Sequence, residues 1–422
     1  MIIVSNAGTH PEPAHLTAGL ASSGTRITYM TSASWASDSK LMVRADSTTA
    51  RKLRFAAQIR RRKLPLPIEA ADVKVTTPAL DALFQILMKA DLNSRDLVLA
   101  QRNQRHRRKV AAAVTNADGL NAIIAQYHSG LEPFQAAAER TTKILMYPIA
   151  HHSWMQETMR TEAESNPGWA HFLQGYRMPL WKQTLLDAEI QLADKIMVPS
   201  SFVRSTFMHA GVDAEKLVVQ NLGVDLPPTD TPSMDRSQHS SRKTTFLFAG
   251  QVNQRKGIGY ILDAFAQMET KDTELLIAGH ASAEMRDRLS RYARVTYLGT
   301  MPRQELFAVM AQADALLLPS FAEGFPLTAL EAMANQCVPI VSQFTFASDV
   351  IRDGENGFVV DAGSVEQLVQ RMTDVVDDQK QTRAIKLNAQ QTAREYSWSA
   401  YEKNSASAVQ RLIREGGAGL RD

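Results

Sequence analysis

The sequence predicts an α/β protein of two Rossmann-like, doubly wound domains facing a central cleft, and three observations carry that prediction. Apolar runs of strand length alternate with longer segments of helical period in both halves of the chain. The chain has 422 residues, more than one hydrophobic core organises, since domains run to roughly 100 to 200 residues. Residues 226–243, LPPTDTPSMDRSQHSSRK, are rich in Pro, Ser, Thr and Asp and follow neither period, so they read as an interdomain linker.

In chain order, the strand-like runs of the first half are IIVSNAG, AIIAQYH, KILMYPIA and KIMVPSS. Those of the second are TTFLFAGQ, ELLIAGH, VTYLG, ALLLPS and VPIVS. Such runs suit parallel strands covered by helices on both faces. The expected division is residues 1–225 for the first domain, 226–243 for the linker, 244–395 for the second domain and 396–422 for a terminal helix. Open α/β sheets bind ligands beyond the carboxyl ends of their strands, so the chemistry is expected in the cleft.

With 44% apolar and 22% charged residues the composition is that of a globular protein. The single cysteine, Cys337, excludes an internal disulfide and fits a reducing compartment. Met1 leads into a short strand-like IIV and polar turn residues, without the basic segment and long apolar core of a secretory signal. No window approaches the roughly 18 apolar residues of a membrane span. A cytoplasmic location is expected. Net charge is a modest +3, but basic residues cluster at 51–63 (RKLRFAAQIRRRK) and 102–109 (RNQRHRRK). Solvated helix or loop faces would explain both runs. The other reading is peripheral contact with an anionic membrane surface, or with a polyanionic substrate. Nothing resembles a nucleic-acid module, so no nucleic-acid partner is expected.

Two strand-loop-helix units carry candidate chemistry. In the first, a strand ends at Gly250, the loop QVNQRK follows, and helical spacing begins beyond it. Arg255 and Lys256 are thereby brought to a helix start, where free backbone N–H groups and the helix dipole favour phosphate. A surface basic pair beside a glycine turn explains this stretch equally well by itself. Gly257-Ile258-Gly259 lacks the third glycine of a dinucleotide loop, and no P-loop GKS or GKT is present. In the second unit the strand ALLLPS turns through Ser320 to Phe325, and Pro326 stands where a first helical residue is favoured. Glu323 lies in the loop and Glu331, eight positions on, lies more than one turn inside the helix. The two need not be neighbours, which argues against a two-carboxylate acid-base pair. The layout instead allows an anion at the helix start, near the amides of Gly324, Phe325 and Leu327, with a carboxylate on either side to accept hydroxyl hydrogen bonds. A sugar nucleotide has that form.

The stretch from Glu323 to Glu331 resembles the E-x7-E signature of retaining glycosyltransferases of the GT-B fold, most similar to family 4, followed by an EAMA-type helix. The flanking order matches too: GQVNQRKGIGYILDAF, LLIAGH, VTYLGTMPRQELFAVMAQADALLLPSFAEGFPLTALEAMA and NGFVV, with ADKIMVPSSFVRSTFMHAGVDAEKLVVQNLGVD leading to the hinge. Together these cover roughly residues 185–400, and the first 150 residues match weakly. The resemblance implies that the first domain binds the acceptor and the second the nucleotide-sugar donor. It implies that Arg255 and Lys256 grip the donor diphosphate, that Glu331 bonds the ribose hydroxyls, and that Glu323 bonds those of the transferred sugar. The backbone of Gly324, Phe325, Pro326 and Leu327 and the hydroxyl of Thr328 would help hold phosphate, with Gly250 at the strand end and Thr300 and Met301 meeting the base. No metal and no cofactor are expected, and there is no Asp-x-Asp. The acceptor would be a glycan, a lipid-linked molecule or a small molecule. The terminal helix would pack back on the first domain.

The strand over 143–150 is followed by His151-His152-Ser153. Adjacent side chains of an extended chain point opposite ways, so one histidine at most is expected to line the cleft. Because the family often has a His there, His151 is assigned that place, with His152 as the alternative and a pair of loop histidines without catalytic role as the plain reading. No ligand spacing fits a zinc site with His128. The family's Gly-Gly loop near the donor diphosphate corresponds to Asn6-Ala7-Gly8-Thr9-His10, leaving Gly8 as the candidate. The expected function is retaining transfer of a hexose in polysaccharide or glycoconjugate biosynthesis. The rivals are an epimerase or phosphorylase on the same architecture, and a catalytically silent sugar-nucleotide or polyanion-binding protein.

Overall fold

The protein is described from a computed structural model, and the described residues are 1–8, 10–32, 71–89, 95–174, 177–226, 243–268 and 272–418. The basic run 51–63 and the linker between its two end residues lie outside them.

The expected architecture is present. The first domain runs β1 (Ile2–Asn6), α1 (Glu12–Ser22), β2 (Ile27–Thr31), β3 (Asp72–Val75), α2 (Pro78–Lys89), α3 (Arg95–Thr115), β4 (Ala122–Gln126), α4 (Leu131–Ala136), β5 (Thr142–Met146), α5 (His152–Ser165), α6 (Leu180–Leu192), β6 (Lys195–Val198), α7 (Ser201–His209) and β7 (Leu217–Val219). Its strands lie in the order β3, β2, β1, β4, β5, β6, β7, all parallel. The second domain runs β8 (Thr244–Ala249), α8 (Ile258–Gln267), β9 (Thr273–Ala278), α9 (Ala283–Leu289), β10 (Val295–Gly299), α10 (Arg303–Gln312), β11 (Ala315–Leu318), α11 (Leu327–Ala334), β12 (Val338–Ser342), α12 (Ala347–Val350), β13 (Phe358–Val360), α13 (Val365–Asp377) and α14 (Gln379–Glu395), before the terminal α15 (Trp398–Ala418). Its order is β10, β9, β8, β11, β12, β13, again all parallel.

Most of the runs read as strands are buried on both faces: every residue of β1, β4, β11 and β12 is inside, while VTYLG, at the sheet edge as β10, is only partly covered. Helices cover both sides, as parallel sheets require. α15 crosses back and lies against α1 so closely that a Cβ on Gly19 would stand 2.1 Å from the Glu402 carbonyl oxygen. Trp398 stacks on His15 with centroids 3.9 Å apart. A backbone bridge from Val224 to Ser397 marks a second return.

The basic run 102–109 is not simply a solvated face. It lies on α3, whose inner side buries Arg102, His106 and Arg107. Arg102 pairs with Asp81 at 2.7 Å, Arg107 with Glu132, and His106 bridges the hydroxyls of Ser5 and Thr76 at 3.0 and 2.6 Å. Burial pushes His106 down to about 3, with Arg102 and Arg107 adding to the effect. Arg105, Arg108 and Lys109 remain exposed. Among the described residues no helix is long and apolar enough to cross a membrane.

Candidate functional site

The strand order of the second sheet reverses between β8 and β11, the position at which open α/β sheets leave a ligand crevice beyond their carboxyl ends. The loops after these two strands carry the predicted cations and Glu323. After β8, Gly250 leads to a 3-10 turn, Gln254–Lys256, capped by the Asn253 side chain accepting from the Lys256 N–H at 3.2 Å. The two loops are tied together, the Phe321 N–H donating to the Arg255 carbonyl at 2.8 Å.

Arg255 Nη1 and Lys256 Nζ each donate to Glu323 Oε1 at 2.7 Å. Arg255 also donates to the Ala322 carbonyl. All three side chains are 12 to 14% exposed. Burial alone would push Glu323 up, but Lys256 and Arg255 outweigh it and hold the carboxyl at about 2. Lys256 is shifted down, by burial first, with Glu323 opposing and Arg255 reinforcing. Glu323 Oε1 thus orients both cations.

Glu331 likewise has a cation that sequence reasoning missed. Arg303, at the start of α10, reaches Glu331 Oε1 through Nε at 3.1 Å and Nη2 at 2.6 Å, and also pairs with Asp225 at the end of the first domain. Burial pushes Glu331 up, against Arg303. Thr300 and Met301 stand just before α10, the threonine exposed and the methionine packed on the second domain's core. The two glutamates therefore occupy separate ion clusters, as expected of groups that are not an acid-base pair. No local signal marks Arg303, which lies 28 positions from Glu331.

The start of α11 needs one correction. Pro326 is not the first helical residue; its backbone is extended at ψ 92° and the helix begins at Leu327. The proline thereby acts as the cap, and the N–H groups of Leu327 and Thr328 fall in the first turn, which has no intrahelical acceptors. Phe325 turns its ring into the core beside Phe346, so only its backbone can serve a ligand. Leu327 packs against the cores of both domains.

Gly324 joins the domains. Its carbonyl accepts from Ser200 Oγ at 2.7 Å, and an added Cβ would stand 1.7 Å from the Pro148 carbonyl oxygen. Gly324→Ala is expected to cost about 2 kcal/mol by overpacking, seen as a lower melting temperature.

Pro148 leads to the histidines, where the expectation of opposed side chains fails. His151 caps α5 at ψ 137° and His152 is its first residue, so the extended chain ends between them and the two rings lie tilted against each other with centroids 4.4 Å apart. His151 Nδ1 accepts from the Ser153 N–H at 3.3 Å, while His152 Nε2 lies 3.1 Å from Asp187. Burial, then His152, brings His151 down to about 4. Burial also lowers His152, with Asp187 opposing. Among the described residues, His151, His152 and Asp187 are the group whose ligand atoms could hold a metal, all within 4.8 Å, and His128 is not part of it. Gly8 donates its N–H to Asn6 Oδ1 at 2.9 Å, in the turn after β1.

Two facing parallel α/β domains with these loops at the switch point define the GT-B class. Residues 230–392, a span that takes in most of the second domain, match the family described as Glycosyl transferases group 1. A D-inositol 3-phosphate glycosyltransferase of Corynebacterium glutamicum (strain R) is 26% identical over 213 residues, 46% of this chain and 51% of that protein. The chain thus spans about half the length of the curated relatives it matches. Anabaena Alr3699/HepE, solved with UDP and glucose, superposes with a TM-score of 0.60 at 18% identity, over 97% of this chain and 100% of that one. Sucrose-phosphate synthase from Thermosynechococcus elongatus gives 0.68 at 15% identity, over 98% and 100%. These likenesses support the fold.

Proposed function

We propose that this chain is a retaining glycosyltransferase of family 4 type, moving a sugar from a nucleoside diphosphate sugar to an acceptor hydroxyl in polysaccharide or glycoconjugate biosynthesis. The observation that carries the reading is the meeting of Arg255, Lys256 and Glu323 at the switch point, 2.7 Å apart, beside the start of α11. Two buried cations oriented by one carboxylate form a preorganised seat for the charge that develops on a departing diphosphate. In this reading they supply the charge that a divalent cation would otherwise bring.

Glu323 Oε2 accepts no hydrogen bond from a described residue, and the transferred sugar's hydroxyls bond there. Glu331, steadied by Arg303, takes the ribose, with the base toward Thr300 and Met301. The acceptor enters from the first domain past His151, which is neutral at physiological pH. Its hydroxyl attacks the anomeric carbon on the face that the diphosphate leaves. The leaving phosphate takes the hydroxyl's proton as the carbon–oxygen bond to diphosphate breaks. Seating of the domains excludes water and limits donor hydrolysis.

A thermal-shift screen with UDP, GDP and ADP sugars tests this. A ligand at 100 times its dissociation constant adds about 2.7 kcal/mol of stability, so one donor class is expected to raise the melting temperature, and Glu331→Ala to abolish that shift. No shift with any donor would sink the reading; isomerised donor without transfer would favour an epimerase.

A further inference from the structure

The first domain reaches across to the turn that carries Arg255 and Lys256. Trp169 lies in a 3-10 turn of the first domain, Pro167–Phe172, yet is 3% exposed within the second domain's core. Its ring rests on Gly259, where an added Cβ would stand 2.6 Å from Trp169 Cε2. The Arg288 guanidinium covers the ring 3.5 Å from its centroid, and its Nη1 donates to the Gly168 carbonyl at 2.8 Å. The second glycine of Gly257-Ile258-Gly259 is therefore a socket for a tryptophan.

In the preceding helix α5, Glu162 is 4% exposed. Its Oε1 accepts from Gln254 Nε2 at 2.7 Å and its Oε2 from the Tyr260 hydroxyl at 2.9 Å. Gln254 Oε1 in turn accepts from the Gly259 N–H at 3.0 Å. A buried carboxylate is costly unless its hydrogen bonds are satisfied. Here both oxygens serve residues flanking Arg255 and Lys256. Apolar contact would suffice to hold two domains together; a two-pronged polar clamp also sets the orientation of the turn it grips.

We infer that Glu162 and Trp169 are positioning residues of the donor site: through Gln254, Tyr260 and Gly259 the first domain sets the Gln254–Lys256 turn, so that seating the domains and aligning the diphosphate grip are one event. The inference rests on reading that turn as the diphosphate grip. It makes Glu162 and Trp169 determinants of donor affinity although neither is placed against the donor.

The test is the affinity of UDP, GDP and ADP, by calorimetric titration well below each variant's melting temperature, for wild type, Glu162→Gln, Tyr260→Phe, Trp169→Phe and His171→Ala. Tyr260→Phe removes one hydroxyl and keeps the packing, so the answer does not hinge on how the Glu162 variant folds. His171 shares the turn with Trp169 but pairs with Glu284 at the surface, and serves as the control. For the nucleotide that wild type binds best, Glu162→Gln, Tyr260→Phe and Trp169→Phe are expected to weaken binding about tenfold, and His171→Ala to leave it unchanged. Lowered melting temperatures with unchanged affinity would overturn the inference and leave an interdomain contact only. Wild type binding none of the three would instead overturn the donor reading, and the inference with it.

Discussion

Lys256→Met is expected to lower donor turnover about a hundredfold or more, with the fold intact. The methionine keeps the stem, which runs beside Gly250 with Cε 3.3 Å from where a Cβ would stand, and removes only the charged head. Arg255 still holds Glu323 at 2.7 Å, so the carboxylate is not orphaned. What is lost is a preorganised positive charge in a largely buried site, where removing one donor to a developing anion costs about 10² to 10³ in rate. Steady-state transfer or donor hydrolysis measures it, with the melting temperature as the control on folding. Turnover within a few-fold of wild type in a folded variant would remove Lys256 from the diphosphate grip.

Glu323→Ala should separate binding from transfer. Without the carboxylate, Arg255 and Lys256 face each other unpaired in a buried site, and breaking such a cluster from one side costs about 3 kcal/mol or more. A nucleoside diphosphate brings the missing negative charge. The variant is therefore expected to melt lower than wild type when free, to gain more from the nucleotide, and to transfer no sugar because the hydroxyl acceptor is gone. The pH dependence should change as well. Glu323 sits at about 2, below its ordinary 4.5, so its stabilising effect is present above the ordinary carboxylate range and is lost as pH falls toward 2. Wild type should lose part of this contribution on acidification from pH 5 to 3, and the variant should lack it throughout. Melting temperatures with and without nucleotide at neutral and acid pH would show both; a variant as stable as wild type at pH 7 would contradict the assigned ion cluster.

Much of the fold was legible because parallel strands buried on both faces must be apolar nearly throughout, as ALLL and VPIVS are. Most of the missed strands lacked that signature or were too short to show it. β3, DVKV, is a largely exposed edge strand, and β7 and β13 are three residues each. β2, ITYMT, is fully buried, and its β-branched and aromatic content could have marked it. The run 102–109 misled because charge reads as exposure, whereas the partners that permit burial, Asp81 and Glu132, stand 21 and 25 positions away. The histidines misled because a helix start was read as extended chain.

The sequence by itself determined the strand-loop-helix order and where the two loops that carry Arg255, Lys256 and Glu323 fall, since local periodicity, Gly and Pro placement and the spacing of charged groups are properties of neighbours along the chain. It also separated Glu323 from Glu331. Only the tertiary structure decided what each charged group faces: Glu323 on Arg255 and Lys256, Glu331 on Arg303, Glu162 on Gln254 and Tyr260. Those pairings span 28 to 98 positions and depend on the strand order of the second sheet and the seating of two domains. A buried charge is stable only beside a partner, and which partner comes within 3 Å is a property of packing rather than of sequence distance.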